Sequence, residues 1–286
     1  VSWSSDPSVQ QLNWDQFYFA NDKNLYTVEN ANGSGTSVTG NRSKYIVEEQ
    51  RADPKRIGLN SVYRKNLLNN RNITVGLNFN RQSTHYFNVL DDLLGGDFWV
   101  DIDQFADRDF DDPIISQNDL STPNKVAKEG DVIGWDYNIV TRATSLFGQY
   151  EKKWQNVEVY AAAHLAQTSF RIDGNVQNGR FPETSEGKGE SQDFLTGGIK
   201  AEATYKITGR QFIVANAAYL NRPPSPRNSF LSARTRPDVI PGLQSESVYT
   251  GDIGYVVRYA RLKARATFYY TKMMDQMWSR FYYNDE

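Results

Sequence analysis

The densest group of chemically capable side chains lies in an acidic stretch, residues 91–112, which holds nine aspartates and one arginine, Arg108. Three of the aspartates follow an Asp-x-Asp-x-Asp spacing: Asp107, Asp109 and Asp111. Carboxylate oxygens spaced in this way are hard ligands of the kind that Ca²⁺ prefers. The sequence therefore offers these three residues as candidate calcium ligands.

The spacing departs from that of an EF-hand calcium loop at two positions. Asp112 stands where that loop needs glycine, and Asn118 stands where it needs a bidentate glutamate. The alternative is a solvated loop in which aspartates cap turns and accept hydrogen bonds from nearby backbone amides. Both interpretations stay open from the sequence, and calcium is the only cofactor that it suggests.

Aromatic side chains are spread through the same stretch: Phe98, Trp99, Phe105 and Phe110. They can stack on a sugar or contact a cationic or metal-chelate ligand. They can also form the apolar core on which a long loop folds, and this second interpretation is favoured. Trp99, together with Asp101 and Asp103, is the candidate ligand-binding set of this stretch.

A second candidate surface is the stretch 222–241, which is rich in proline and arginine. Arg222 and Arg227 are candidate contacts for an anionic ligand or for a lipoprotein partner at the cell surface. Five prolines in the same stretch restrict the backbone and stiffen it, which is a purely structural alternative.

Covalent catalysis has few residues to use. The chain has no cysteine, and its two histidines, His85 and His164, lie in no metalloprotease, hydrolase or deaminase motif. A glycine-rich phosphate loop is also absent from the sequence. The sequence therefore predicts no catalytic residue, and a protease or lipase would have to build its site around these two histidines.

Composition narrows the class of protein. The chain has 286 residues, a net charge of −2 and a pI near 5.8, which gives no electrostatic reason to expect a nucleic-acid partner. Its longest apolar run covers residues 159–163, whereas a membrane-spanning helix needs about 20 apolar residues. Helical membrane proteins are thereby excluded, but membrane-spanning strands are not, because half of their residues are polar.

The elements that must position these residues are strands. Residues 195–207 alternate between an apolar parity, with Ile199 and Ala201, and a polar parity, with Lys200 and Glu202. The alternation continues in 213–220 and recurs in three further pairs of segments: 57–63 with 73–79, 135–147 with 157–165, and 249–259 with 262–271. The sequence therefore predicts eight antiparallel strands in four hairpins.

The strand 213–220 is less cleanly two-faced than the others, with Asn216 as its main polar marker. In 135–147 the apolar parity is assigned to the odd positions: Trp135, Tyr137, Ile139, Ala143 and Phe147. Across all strands, the apolar parity is expected to face lipid. The polar parity is expected to form a hydrated wall with these side chains: Lys200, Glu202, Lys206, Asp252, Lys263 and Arg265.

The connections between strands alternate in length. Turns within hairpins take roughly three to six residues, whereas the connections between hairpins run through about 90–131, 173–192 and 221–245. Short turns at one end and long loops at the other are typical of an outer-membrane β-barrel. Aromatic residues beside the short turns fit the girdle of such a barrel: Tyr150, Trp154, Tyr205 and Tyr259. A soluble β-sandwich also alternates, but its strands are typically about 5–6 residues long.

Longer blocks of the sequence resemble a known family. Residues 210–255, from RQFIVANAAYLNRPPSP to SVYTGDIGY, closely resemble the barrel of TonB-dependent outer-membrane receptors of the Bacteroidetes group. Such receptors often carry an N-terminal carboxypeptidase-regulatory-like domain. Further blocks that resemble the family are LNWDQFYFAN at 12–21, DLLGGDFWVDIDQFADRDF at 92–110, SQNDL at 116–120 and DGNVQNGRFPETSEGKGE at 173–190.

The resemblance implies a barrel of about 22 strands, filled by a plug, in the outer membrane of a Gram-negative bacterium. Such a receptor imports a scarce ligand: a siderophore, a metal complex, a glycan or a peptide. Its implied partners are outer-membrane lipid and, through the plug region, the inner-membrane TonB complex. The alternative function is a structural or assembly barrel that docks partner proteins without transport.

The resemblance also gives an expected domain organisation. Residues 1–286 are expected to be an internal segment of one transmembrane barrel domain, with no plug domain in the chain. Residues 1–43 and 90–131 are expected to be extracellular loops.

Overall fold

A computed structural model describes residues 11–110 and 112–277 of the chain. Strands hold 61% of the residues, and every pair of named strands runs antiparallel, so the predicted all-β antiparallel class is confirmed. In the part of the chain that the structure describes, no helix is both long and apolar enough to cross a membrane.

The elements follow one another in this order along the chain: α1 Trp14–Asp22, β1 Leu25–Val28, β2 Val38–Asn41, β3 Val47–Leu67, β4 Arg71–Asp92, β5 Trp99–Val100, α2 Gln104–Asp109, β6 Val126–Ala127, β7 Val132–Lys153, β8 Val157–Gly174, β9 Gly187–Lys188, β10 Gln192–Thr208, β11 Gln211–Arg222, β12 Phe230–Ser232, β13 Arg236–Val239, β14 Glu246–Arg258 and β15 Lys263–Met274. Two 3-10 helices, Ala31–Gly33 and Pro226–Asn228, complete the set among the described residues.

Eight long strands form one continuous sheet, which we call the wall, in the order β3-β4-β7-β8-β10-β11-β14-β15. Each of these strands pairs with the long strand that precedes or follows it in the chain, and the short β9 adds to β8. The eight strands and four hairpins predicted from alternation are therefore confirmed.

The two ends of the wall differ in the length of their connections. At one end, the turn end, the strands are joined by residues 68–70, 154–156, 209–210 and 259–262. At the other, the loop end, the connections are residues 93–131, 175–191 and 223–245. In the first turn Asn69 and Asn70 have φ of 63° and 54°, a left-handed conformation that asparagine tolerates better than most residues. The predicted division between short turns and long loops is confirmed.

The two faces of the wall differ in polarity. The register places Val75, Gly148, Ala163, Ile199 and Tyr219 in one row across five strands. This row belongs to the apolar face, where large side chains are exposed: Ile199 by 62%, for example. The opposite, polar face includes Lys200 and the other charged side chains predicted to share it. Residues that pair directly across two strands lie on the same face of the sheet. Strands that each alternate in polarity therefore build one apolar face and one polar face.

The parity assigned to residues 135–147 is wrong. The register pairs Phe147 with His164 and Gly76, both on the polar face, and pairs Leu146 with Leu165 on the apolar face. The physical reason lies opposite Phe147: a Cβ on Gly76 would collide with the Phe147 ring, so the missing side chain gives the ring its place. An aromatic residue can therefore lie on the polar face where glycine faces it across the ladder.

The loop end has its own hydrophobic cores. The first segment, with α1, β1 and β2, packs on the connection 93–131, and Val28 shares a buried cluster with Phe98 and Val100. Asn21, fully buried at the end of α1, donates to the carbonyl oxygens of Tyr45, Leu93 and Leu94 at 2.8, 2.9 and 3.1 Å. The described parts of the predicted loops 1–43 and 90–131 thus fold together into one layer.

Candidate ligand-binding surface at the loop end

The acidic stretch forms an ordered layer between β4 and β7. It contains β5, which pairs with β6 through Trp99 and Ala127, and the short helix α2. Asp103 begins that helix: its Oδ1 accepts hydrogen bonds from the backbone amides of Phe105 at 3.0 Å and Ala106 at 3.1 Å. Because an N-cap carboxylate satisfies amides that the helix leaves open, Asp103 fixes where α2 starts.

Asp101 is an enclosed acid that links separate parts of the loop end. The residue is 5% exposed, and its Oδ1 accepts from Nδ2 of Asn118 at 2.7 Å and from the backbone amide of Gly134 at 2.8 Å. Burial raises the pKa of Asp101 above its ordinary value, while these two hydrogen bonds and the charge of Lys125 act in the opposite direction. In this conformation the carboxylate faces the loop's own donors, so its predicted contact with a ligand stays a prediction.

The candidate calcium ligands lie on or beyond α2. Asp107 and Asp109 belong to the helix, and Asp111 lies outside the described residues. Asp109 accepts a hydrogen bond from Nε of Arg108 at 2.7 Å, and this bond lowers the pKa of Asp109. Within residues 11–110 and 112–277, no three histidine, aspartate or glutamate side chains come together as a metal site. Calcium binding by Asp107, Asp109 and Asp111 stays a prediction.

The four aromatic residues of the stretch divide into two pairs. Phe98 is 1% exposed, and Trp99 packs against a second buried cluster that contains Leu90. Phe105 and Phe110 are 57% and 45% exposed. The favoured interpretation, that these aromatics form the core of the loop, therefore holds for Phe98 and Trp99, whereas Phe105 and Phe110 face solvent.

Two arginines from the other long loops lie over the aromatic rings of Phe110 and Phe181. The guanidinium carbon of Arg180 lies 5.6 Å from the centroid of the Phe110 ring and 5.9 Å from that of Phe181. The guanidinium carbon of Arg236 lies 4.9 Å from the centroid of Phe181. We call Phe110, Arg180, Phe181 and Arg236 the aromatic–arginine patch. Cations stacked on ring faces at these distances are held by cation–π attraction. Nε of Arg236 also lies 3.3 Å from Oδ2 of Asp238.

The patch joins the three long loops, and sequence reasoning missed two of its members, Arg180 and Phe181, which follow β8. Arg236 follows β11 and belongs to the basic stretch 222–241, and Phe110 follows β4. The only signal in the sequence was an Arg-Phe pair in a polar loop, which is weak. Backbone hydrogen bonds join two of these loops: the amide of Gly179 donates to Gln117 at 2.9 Å, and the amide of Leu120 donates to Gln177 at 2.8 Å. These bonds fix the loop that carries Arg180 and Phe181 against the loop that carries Phe110.

The predicted arginines of the third loop have different surroundings. Nε of Arg222 lies 2.8 Å from Oε2 of Glu246, which is 9% exposed, so Arg222 neutralises a buried acid. Arg227 is exposed in the 3-10 helix Pro226–Asn228. Further along the loop, Arg234 stacks on Trp135 with its guanidinium carbon 4.8 Å from the ring centroid. Of the two predicted contacts, Arg227 is the one with the more open position.

Both histidines belong to the wall, His85 to β4 and His164 to β8. Nε2 of His85 lies 2.6 Å from Oδ1 of Asp136, which also accepts a hydrogen bond from Asn175 at 2.6 Å. Cε1 of His164 packs against Gly198, where an added Cβ would approach it to 2.7 Å. Among the described residues, the hydrogen bonds place no serine hydroxyl on either ring, so the His85–Asp136 pair has no nucleophile beside it.

Comparison with solved structures places the wall in a known fold. The structure titled copper transporter OprC aligns with 78% of this chain at a TM-score of 0.55 and 10% sequence identity. Two structures of the ferric-catecholate import receptor Fiu from E. coli K12 also align. The open form covers 83% of this chain at a TM-score of 0.42 and 13% identity, and the closed form covers 84% at 0.45 and 15%. The match to OprC supports the TonB-dependent receptor fold expected from the sequence.

These matches cover only part of each solved structure. This chain spans 30% of the length of OprC and 32% and 33% of the two Fiu chains, so it corresponds to about a third of each. Neither the models of known protein families nor the curated proteins give a match to the sequence. The fold is thus established from structure alone.

Proposed function

We propose that this chain forms part of the wall and of the ligand-capturing loop end of a TonB-dependent outer-membrane receptor, which imports a scarce ligand. The observation that carries the proposal is a band of exposed apolar side chains on one face of the wall. In water such a band would cost free energy in proportion to its exposed area. In a membrane the same side chains contact lipid.

The height of the band fits an outer membrane. On the apolar face of β7, the band begins after Arg142 and ends at Lys152, about ten residues or roughly 33 Å along the strand. With a strand tilt of about 40°, this corresponds to roughly 25 Å across the membrane, the height of the apolar band in outer-membrane barrels. Nζ of Lys152 lies 4.2 Å from the ring centroid of Trp154, an exposed aromatic residue at the turn end. The two ends of the band therefore carry the charged and aromatic residues expected at a membrane interface.

The polar face supports an aqueous interior. Nζ of Lys206 lies 2.6 Å from Oε1 of Glu158, and Nδ2 of Asn216 donates to Asp252 at 3.0 Å. These side chains satisfy one another on the face opposite the apolar band. The terminal strands of the wall, β3 and β15, each pair on one side only among the described strands. We propose that further strands of the receptor continue the sheet there, because a barrel closes by pairing both edges.

The loop end is the surface that would meet a ligand outside the cell. Its aromatic–arginine patch presents two guanidinium groups and two rings, which suits an anionic ligand that also carries rings, such as a metal chelate or an acidic sugar. OprC is named a copper transporter. Copper prefers soft thiolate and thioether ligands or imidazoles, and the aromatic–arginine patch has none of these side chains. We therefore propose that this part of the receptor contacts a chelate or a glycan.

Uptake by the full-length receptor tests the proposal. The receptor would be expressed in a Gram-negative host with and without TonB, and the uptake of ferric catecholate, ferric citrate and an acidic oligosaccharide would be measured. We expect uptake of one of them that depends on TonB and falls about tenfold or more in an Arg180→Ala/Arg236→Ala variant, because two charge-assisted contacts are lost. Arg210→Ala/Arg261→Ala, which removes two exposed arginines at the turn end, is the matched control. Stable copurification with partner proteins and no uptake would favour the docking barrel instead.

A further inference from the structure

Two arginines face each other on the apolar side of the wall. The register places Arg81 of β4 directly opposite Arg142 of β7. Side chains in such cross-strand positions have Cβ atoms about 4.5–5.5 Å apart, and like charges placed there destabilise the pairing. Both side chains are exposed. The arrangement therefore needs a compensating negative charge.

The described part of the chain supplies no such charge nearby. Neither arginine takes part in any of the ion pairs formed among residues 11–110 and 112–277. The row that contains them continues through Ser169 to Asp193, whose carboxylate is two strands away from Arg142, or about 10 Å. A third exposed cation, Lys55, pairs with Ser83 in the adjacent row on the same face.

The arginine pair lies at the border of the apolar band. Towards the turn end, the next row on the same face contains Phe79 and Thr144. The row after it is apolar and exposed, with Leu77, Leu146 and Leu165. Towards the loop end the face becomes polar, with Ser83 and Arg171. In a membrane this border is the level of the lipid headgroups.

A groove on the same face lies one leaflet deeper. It has a volume of about 970 Å³, its floor is made of small residues that include Gly148, Ala161 and Ala201, and its sides include Tyr150 and Tyr219. Gly148 is six residues from Arg142 along β7, roughly 20 Å, or about 15 Å across the membrane at a tilt of about 40°. That depth is slightly beyond the middle of the apolar band, whose height is roughly 25 Å. Acyl chains that hang from a headgroup at the arginine pair would end at the groove.

We propose that Arg81 and Arg142, with Lys55 beside them, bind the phosphate of a lipid headgroup in the membrane leaflet on the loop-end side, and that the lipid's acyl chains run down the apolar face to the groove. This inference rests on the proposed membrane position of the wall. A phosphate between two guanidinium groups accepts charge-assisted, bidentate hydrogen bonds and cancels their repulsion. The site thus anchors the receptor at a fixed height and orientation.

Lipid retained by the purified full-length receptor tests the inference. Wild-type protein and an Arg81→Gln/Arg142→Gln variant would be exchanged into detergent with diphosphorylated lipid A, and bound lipid would be counted by native mass spectrometry. An Arg56→Gln/Arg64→Gln variant is the matched control, because it removes two arginines from the polar parity of β3. We expect the first variant to lose affinity about tenfold or more and the control to bind as wild type does.

Two further measurements complete the test. One distinguishes the phosphate of a lipid from free phosphate, and the other tests the proposed membrane position on which the inference rests. Inorganic phosphate should displace lipid A only weakly, since it has no acyl chains for the apolar face; displacement at equal concentrations would mean a free-anion site and overturn the inference. Equal retention by wild type and the Arg81→Gln/Arg142→Gln variant would overturn it as well. If wild-type receptor fails to float with lipid vesicles, the proposed membrane function fails with it, whereas flotation without arginine-dependent lipid binding removes this inference alone.

Discussion

The loop end and the apolar band of the wall differ in the burial of their large apolar side chains. The loop end contains the three buried hydrophobic clusters of the described chain, centred on Phe98, Leu90 and Phe170. In the band, large apolar residues such as Leu146 and Phe268 are 53% and 74% exposed, and the strands are held by their backbone ladder. The loop end therefore buries large apolar side chains within the chain, whereas the band leaves them exposed on one face of the wall.

That contrast explains how a chain with a mean hydropathy of −0.65 can have an extended apolar face. Polar residues are concentrated in the loop end and on one face of the wall. The apolar residues of the other face are diluted in any average along the sequence, because they occur at alternate positions. Substitutions should consequently have very different effects in the two regions.

The largest effect is expected in the loop end. Phe98→Ala should lower the local free energy of unfolding by about 3–5 kcal/mol, because it empties a buried site among Val28 and Val100. Hydrogen exchange of the amides in β5 and β6 would measure the loss. Phe105→Ala, seven positions along the chain but exposed, should change it by less than about 1 kcal/mol. Similar losses in both variants would show that Phe98 is not a core residue.

A charge in the middle of the band should have the next largest effect. Ala163→Arg places a guanidinium on the apolar face and should destabilise the membrane-inserted protein by about 2–4 kcal/mol. Its neighbour Ala162 pairs with Lys200 on the polar face, so Ala162→Arg should be tolerated far better. Urea unfolding in lipid vesicles would compare the two. Equal destabilisation would contradict the assignment of the faces.

A smaller and pH-dependent effect is expected at Asp101. Asp101→Ala would leave the donors of Asn118 and Gly134 unpaired in a buried site and should cost about 1–3 kcal/mol. Asp101→Asn keeps the oxygen that accepts both hydrogen bonds and has no charge to bury.

The sign of the pH dependence follows from burial. Because burial raises the pKa of Asp101 in the folded protein, the wild-type acid favours folding most below its unfolded pKa. That contribution is lost as the pH rises through the folded pKa. The Asn variant should therefore gain stability relative to wild type as the pH rises from the ordinary aspartate pKa of about 3.9 through the raised pKa of the folded protein. A gain in the opposite direction would mean that the hydrogen bonds outweigh burial at this carboxylate.

The wall was predictable from the sequence because its rule is local. Side chains alternate every second residue, so Leu195 to Ile207 reveals a strand and its two faces without knowledge of the partners. The rule failed at Phe147 because the residue opposite it, Gly76, has no side chain and leaves space for the ring on the polar face. A count of alternating residues within one strand does not detect this space.

The loop end was predictable only in part, because its structure depends on contacts between distant segments. Asn21 bonds to Leu93 and Leu94, and Phe110 meets Arg180, and no short pattern connects these residues. The acidic stretch was visible as a cluster of charge, but burial of Asp101 and capping by Asp103 follow from how the loop folds. The sequence thus located the candidate surface without giving its composition.

Cysteine labelling of the two faces tests the central claim, that the apolar face of the wall contacts lipid. The chain has no cysteine, so single substitutions can be labelled without background. In the membrane-inserted receptor, cysteines at Lys200 and Arg265 should react with water-soluble thiol reagents, whereas cysteines at Ile199, Ala201 and Ala264 should be protected and should respond to lipid-soluble quenchers. Reaction of Ile199→Cys, Ala201→Cys and Ala264→Cys with the water-soluble reagent, and protection of the other two, would contradict the account.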